Sequence, residues 1–492
     1  MTEHLPVYQI VLPLVAAPAC VLIRNRAVVR MLAITVVWAG LAISLSLLAQ
    51  VRAYGPIHYH LGGWSPPLGI EYAIDHLNAY LLLIVSMIAA VVLPVGPGTA
   101  AESIPAGKEY LFYAAFLLCI TGLLGISITG DVFNVFVFLE ITSLSSYTLI
   151  ALGKGRKALT AAFSYLVMGT IGGTFLLLGI GLMYQLTGTL NMAVLHEVLP
   201  TIDDENRTKA VAFGFMFVGS AIKLAVFPLH QWLPNAYTYA PSTVSAFLAA
   251  TATKVSYYVM VRVSFFLFGA AYVFDHLHAD RLLMPMALLA IFFGSLAAIF
   301  QADVKRLLAY SSIAQIGYMV LGFSFNSVNG LTAGILHLFN HALMKGGLFL
   351  VVACVVAQIG SSQVEDWKGL GKRMPLTMAA FVVGGLGLIG VPVTVGFVSK
   401  WYLVIGALEQ DHFLVAGAVL VGSLLAVLYV WRLVETIYFQ EPADSTKCEA
   451  PWSMLGPTWV LLAASIYFGL NTGMSAGVAR AAAEAMSPGF MP

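Results

Sequence analysis

Charge is what this sequence has least of. Only 10% of its 492 residues are Asp, Glu, Lys or Arg, where soluble domains average about 25%. A net charge of +1 with no basic stripe offers no nucleic-acid footprint, so no nucleic-acid partner is expected. Cysteine is equally sparse. Cys20, Cys119, Cys354 and Cys448 are scattered without metal-ligand spacing, which excludes a zinc framework and leaves them as small buried hydrophobes. No glycine-rich phosphate loop precedes a helix, no nucleophile constellation stands out, and no glutamate stands between His337 and His341 as a zinc-protease helix would need. No cofactor and no metal are expected. None of these features marks an enzyme.

What the sequence has instead is long apolar runs. Hydrophobic residues make up 60% of the chain and mean hydropathy is +0.89. Runs of membrane-spanning length occur at 6–23, 29–51, 76–95, 110–129, 132–152, 159–185, 208–227, 241–267, 282–300, 304–325, 329–357, 375–405, 412–438 and 452–472. They are too long for transmembrane strands, which need about 9–11 alternating residues. The fold class is therefore an all-α polytopic membrane protein of about fourteen spans. The first run lacks a basic leader and a small-residue cleavage site, so it reads as a retained helix. With the N-terminus outside, fourteen loop lysines and arginines fall on the cytoplasmic side and five on the other. That bias predicts an even span count with both termini outside.

Two parts of the chain echo each other. "GDVFNVFVFLEITSLSSYTLIALG" starts its helix at Asp131, and "ADVKRLLAYSSIAQIGYMVLGF" starts another at Asp303, 172 residues later. Pairing Gly172–Gly173 with Gly346–Gly347 in the following helices gives a shift of 174 and sets Ile171 opposite Lys345. Five helices separate the paired elements, so the copies are inverted, as in many transporters. The expected organisation is residues 1–100 with helices 1–3, 108–270 as the first inverted repeat (helices 4–8), 282–438 as the second (helices 9–13), and 452–472 as helix 14. The seventh span, "GSAIKLAVFPLHQWLP", meets Pro228 five residues after Lys223. The twelfth, "GGLGLIGVPVTVGFVSKWYLV", contains Gly390, Pro392 and Gly396 just before Lys400. Both are predicted to be broken helices, which membrane depth tolerates only inside protein or beside a wet cavity.

The ionisable residues inside spans are the anomaly. A charge at the bilayer centre costs at least about 2.5–3.5 kcal/mol, so such residues face the interior and mark ion pathways. Glu140 sits too deep for its short side chain to reach an interface. Lys223 and Lys254 are also deep. His337, His341 and Lys345 recur every four residues and share one helix face. Lys400 follows the second break, and His230 is expected to face the cytoplasm as an access group. Asp131 and Asp303 read as N-caps, and Arg262 as structural. Burial disfavours the charged form of either kind of group and pairing favours it. A Glu140–Lys223 pair that opens leaves a desolvated ammonium ready to hand its proton to Lys254, and histidines pass protons through either ring nitrogen.

These motifs also carry a resemblance. "YHLGGWSPPLGIEYAIDHLNAY", "FLEITSLSSYTLIALG", "KLAVFPLHQWLPNAYTYAPSTVSAFLAATATKVSYYV", "ADVKRLLAYSSIAQIGYM" and "NHALMKGGLFL" are similar to the antiporter-like proton-conducting family. Its members are subunits of respiratory complex I, Mrp-type Na⁺/H⁺ antiporters and membrane-bound hydrogenases. The resemblance covers about residues 55–440. It implies that Glu140 and Lys223 form a gating pair on helices 5 and 7, with Lys254 central on helix 8 and Lys400 terminal on helix 12. His337, His341 and Lys345 then fit a relay on helix 11. Without a long lateral helix or extra carboxy-terminal spans, the chain looks most like a D subunit of the Mrp antiporters. The expected function is proton translocation in a multisubunit Na⁺/H⁺ antiporter, with H⁺, Na⁺, lipid and other membrane subunits as partners. Alternatives are a proton-pumping subunit of complex I or a membrane-bound hydrogenase, and a membrane subunit energising inorganic carbon uptake.

Overall fold

The apolar runs become helices in a computed structural model that describes residues 2–96, 104, 107–442 and 446–486. Twelve of the described helices are long and apolar enough to cross a membrane. In chain order the principal helices are α1 (Leu5–Ile23), α2 (Arg26–Tyr54), α3 (His76–Val92), α4 (Glu109–Ile128), α5 (Val132–Ala151) and α6 (Arg156–Thr187). There follow α7a (Arg207–Leu224), α7b (Trp232–Tyr239), α8 (Ser242–Val261), α9 (Ala279–Ile299), α10 (Val304–Ser324) and α11 (Val328–Ile359). Then come α12a (Pro375–Ile389), α12b (Val395–Leu408), α13 (Phe413–Phe439), α14 (Trp452–Leu470) and α15 (Thr472–Met486). The seventh and twelfth runs are the two split helices, and α15 is an addition to the sequence reading. A two-stranded antiparallel hairpin, β1 (Ile57–His60) with β2 (Glu71–Ile74), also departs from an all-helical chain.

The layers follow from side-chain polarity. Helices α8, α10 and α11 are enclosed on nearly all sides, while α1, α2, α6, α9 and α13 turn broad apolar faces outward. Hydrocarbon supplies no hydrophobic drive between helices, so small and polar residues must hold them together. At the start of the bundle Gln9 of α1 donates to Ser44 of α2 (2.8 Å) and Ser86 of α3 (3.1 Å), and the two serines lie 2.8 Å apart. His4 meets Tyr59 of the hairpin at 2.9 Å, and Met486 at the end of α15 lies 3.8 Å from Arg262. The described ends of the chain thus share the face that carries the hairpin.

The echo between α5–α6 and α10–α11 extends to single hydrogen bonds. Asp131 caps α5 through the Asn134 amide (2.7 Å), and Asp303 caps α10 through Arg306 (3.1 Å). The Val132 amide donates to Leu190 O as Val304 does to Ser362 O, and Met192 donates to Gly130 O as Val364 does to Ala302 O. Helices α6 and α11 are both 32 residues long. Each correspondence is a shift of 172. The shift of 174 expected from the paired glycines is therefore two residues out, and Gly173, not Ile171, stands opposite Lys345. A glycine pair marks close helix approach and carries no register by itself.

Asp303 also accepts from Ser362 (2.5 Å) and Gln363 (2.9 Å), tying the start of α10 to the end of α11. Asp303→Ala is expected to cost about 1 kcal/mol or more, the usual value of a lost N-cap. A lowered midpoint in thermal unfolding of the detergent-solubilised protein is the check.

Candidate functional site

Each split helix ends by leaving carbonyls without partners. At the first break α7a terminates in Ala225, whose φ of +65° turns the chain out of the helix. The Trp232 indole donates to Ile222 O at 2.9 Å and fills one vacated position. Lys223 lies in the last turn, where the negative end of the helix dipole favours a cation. Its ammonium donates to Ser143 of α5 at 2.6 Å and stands 3.8 Å from Glu140 Oε1. Glu140 has room there because α6 offers no side chain at that point: a Cβ on Gly173 would collide with Oε1.

At the second break α12a ends at Gly390, with φ +87°. Only glycine serves here twice over, since a Cβ would meet Lys400 Cδ at 2.9 Å. Lys400 reaches back from α12b and donates to Leu388 O (3.0 Å), Ile389 O (2.8 Å) and Ser423 of α13 (3.0 Å). Its nitrogen is also 4.8 Å from the Tyr318 ring centre. The lysine therefore points into the protein and closes a helix end. Asn340 of α11 donates to Val395 O (2.7 Å) and fixes the start of α12b against the central helix.

Between the breaks run α8 and α11. Lys254 is fully buried and donates to Ala249 O (2.5 Å) and Thr253 Oγ1 (3.4 Å). His337, His341 and Lys345 are all fully buried on one face of α11. The two imidazoles stack with ring centres 5.7 Å apart, and His337 Nδ1 pairs with Ser399 Oγ at 2.8 Å. Lys345 donates to Leu308 O (2.7 Å) and makes a short hydrogen bond to Ser311 Oγ. Lys254 is within electrostatic reach of all three, and Lys400 of His337. The structure so brings Lys254, His337, His341, Lys345 and Lys400 into one buried group beside α11. Glu140 and Lys223 form a second group against α5–α7a. Among the described residues no direct hydrogen bond joins the two.

Several buried polar atoms along this line make no hydrogen bond of ordinary length to protein: Gln315 Oε1, His337 Nε2 and both ring nitrogens of His341, together with Glu140 Oε1, whose one contact is the 3.8 Å ion pair. Native interiors seldom leave such atoms dry, and ordered water is their usual partner. An arrangement of ammonium groups, imidazoles and hydroxyls with open hydrogen-bonding positions can pass protons laterally, and no group of three metal-binding side chains occurs among the described residues.

His230 departs from expectation. It is not an open loop side chain: it is 7% exposed, stacked on Phe227 (5.2 Å) and close to Phe293 (5.4 Å), with Nδ1 making no hydrogen bond. Arg262, read as structural from sequence, is buried and ion-paired with Asp75 through a short contact. Sequence reading passed over Asp75 because it doubles as the N-cap of α3, accepting from Leu77 (2.9 Å) and Asn78 (3.0 Å). The acidic Asp75 next to the spans was the available signal.

Comparison with known proteins agrees with this geometry. Residues 129–426 match the family described as NADH:quinone oxidoreductase/Mrp antiporter, transmembrane. The chain is 42% identical to NADH-quinone oxidoreductase subunit N of Desulforudis audaxviator, over 96% of each chain. It is 31% identical to antiporter subunit mnhD2 of Staphylococcus saprophyticus, over 96% of this chain and 93% of that one. Among solved structures, a chain of an archaeal respiratory complex, the membrane-bound sulfane sulfur reductase, superposes with TM-score 0.90 at 30% identity, covering 98% and 97%. A chain of the Mrp complex from Dietzia sp. DQ12-45-1b gives TM-score 0.90 at 24% identity, covering 99% and 98%, a likeness of fold.

The fit of Glu140 against Gly173 makes a direct test. Gly173→Ala should destabilise the protein by about 1–3 kcal/mol through overpacking. In a Glu140→Ala background the same change should cost little, because the colliding oxygen is gone. A double-mutant cycle from unfolding midpoints should show coupling above about 0.5 kcal/mol.

Proposed function

This chain belongs to the NADH:quinone oxidoreductase/Mrp antiporter family of transmembrane subunits, and we propose that it translocates protons through the buried line of Glu140, Lys223, Lys254, His341, His337, Lys345 and Lys400. The observation that carries the proposal is the ion pair of Lys223 with Glu140 at 3.8 Å, set in a helix break. A lysine held by one carboxylate and one serine can be released by a small movement of α5 against α7a. Its proton then has Lys254 and the imidazoles of α11 as acceptors, with water completing the steps between. His230 is a second-rank candidate for proton access through the first break once the Phe227–Phe293 contact opens.

Two inverted five-helix repeats, residues 108–270 and 282–438, give this line its two breaks. The common shift of 172 and the matching junctions at Asp131 and Asp303 support that reading. The fourteen spans place both termini outside a bacterial or archaeal inner membrane, supported by the charge bias and by the shared face of the two described ends.

The subunit works in a multisubunit assembly. The first reading is a monovalent cation (Na⁺)/H⁺ antiporter of Mrp type, supported by the full-length similarity to mnhD2. A redox-driven complex is the second, and a specific observation favours it: the 42% identity with a quinone oxidoreductase subunit. Purification of the native assembly separates them, since iron–sulfur or flavin absorbance accompanies only the second.

Lys223→Ala and Glu140→Ala are each expected to abolish proton translocation in inverted vesicles while the assembled complex persists on a native gel. Wild-type acidification in both variants would overturn the proposal. Lys223→Arg should retain the pair but lose transport, because a guanidinium does not release its proton.

A further inference from the structure

Beside the helix that carries Lys254 lies a cavity that the lateral line does not use. It has a volume of about 190 Å³ and sits between the hairpin, α3, α8 and the junction after α6. Its wall includes His58, Glu71, Asp75, Asn78, Tyr258 and Arg262. That volume holds several waters. Tyr258 and Arg262 follow Lys254 at intervals of four, so the Tyr258 backbone stands about 6 Å further along the helix axis; the Lys254 ammonium bonds back toward Ala249 O, and water must span the gap between it and the cavity.

The bonding at Tyr258 gives the cavity a direction. Its hydroxyl accepts from Asn78 Nδ2 (2.9 Å) and from Arg262 Nε (3.2 Å). Both acceptor positions are taken, so its own proton is left to donate into the cavity. Asp75 is committed: one oxygen caps α3 and the other pairs with Arg262. That pair leaves the near wall without net charge, and a passing proton meets no uncompensated guanidinium.

The far wall is different. Glu71 is a 5% exposed residue held by Asn191 Nδ2 (3.0 Å) and by His58 Nδ1 (2.5 Å), with His60 Nε2 at 3.9 Å. His58 itself has a side chain 56% exposed. A buried carboxylate is thereby linked through one imidazole to solvent. From Arg262 onward the backbone of α8 continues as π-helix over Arg262–Leu267, a distortion common at functional sites.

We propose that this cavity is a proton port connecting Lys254 to the hairpin face, with Tyr258 as its inner donor and Glu71 as its outer acceptor. The proposal rests on the translocation reading above. In the outward sense, the Lys254 ammonium gives a proton to a water chain that includes the Tyr258 hydroxyl, and Glu71 takes one up. Starting from the Nε2–H tautomer of His58, protonated Glu71 gives its proton to Nδ1 while Nε2 releases its own to bulk water, and exchange of the ring proton with water restores the starting tautomer before the next passage. Uptake is the same chain reversed. His58, His60 and Glu71 from the hairpin, Asp75 from α3 and Arg262 from α8 are the titratable and charged groups that line or contact this route.

The test uses the purified complex in proteoliposomes, with the pH on the hairpin side varied. Glu71→Gln and Tyr258→Phe should each slow proton translocation at least about tenfold, the lower end for a positioned proton carrier. Glu71→Asp should restore most of the rate. The wild-type dependence on hairpin-side pH should flatten in Glu71→Gln. A hairpin that Glu71 merely anchors would lower yield and leave that pH profile unchanged, which overturns the port. Wild-type rates in both variants, measured where Lys223→Ala is inactive, also overturn the port and leave the lateral line standing. Activity in Lys223→Ala itself would instead remove the reading beneath it.

Discussion

An ammonium group buried in a membrane protein must be surrounded by oxygen, and the rest of this structure follows from where that oxygen comes from. Regular helices have none to spare, because every interior carbonyl is already bonded. Lys400 finds Leu388 O and Ile389 O at the end of α12a, and Lys223 finds Ser143 and Glu140 beside the end of α7a. Lys254 and Lys345 share helix carbonyls that already accept other donors, Ala249 O and Leu308 O. The second break thus supplies the oxygens that hold Lys400 at depth, and is not an incidental kink. Four lysines share one carboxylate along the line. Burying four uncompensated charges together is prohibitive, and the single carboxylate offsets only one of them.

The pairs at equal positions of α5–α6 and α10–α11 show how one backbone serves two electrostatic purposes. Glu140 on α5 faces Gly173 on α6, and a shift of 172 turns these into Ser312 and Lys345. In the first case the acid comes from the shorter helix and the longer one recedes to admit it. In the second the longer helix supplies a base, and the shorter one answers with Ser311 and a carbonyl. The scaffold is kept and the sign is reversed. A proton moving from one region to the other leaves a carboxylate-centred pocket for one built only of bases, hydroxyls and carbonyls.

Much of this was legible in the sequence because it depends on short-range pattern. Runs of apolar residues give the spans, Asp131 and Asp303 announce helix starts, and the spacing of His337, His341 and Lys345 puts them on one face. Proline and glycine beside Lys223 and Lys400 point to both breaks. What escaped depends on contacts between distant segments. Nothing local distinguishes a His230 exposed in a loop from one folded between Phe227 and Phe293. The same holds for Arg262, whose partner Asp75 is 187 residues away, and for Glu71, held by Asn191 across 120 residues. The two-residue error in the register of α11 has another cause. Glycines recur wherever helices approach closely, so matching them aligns crowding instead of chain position.

The hairpin then has a physical reason to exist. A lateral line at mid-depth moves no charge across a membrane until it opens to water on each face, and each opening needs polar groups where helices give way to loops. Helix ends alone present fixed dipoles. A short pair of strands can instead set a covered carboxylate beside an exposed imidazole, because residues two apart on a ladder share one face. His58, opposite Ala73, and Glu71, opposite His60, lie two rungs apart on one face of this hairpin, while the Tyr72 backbone bridges to Thr129 at the end of α4. The hairpin is thereby fastened to the bundle through that bridge and through Asn191 at Glu71, and it still offers His58 to solvent.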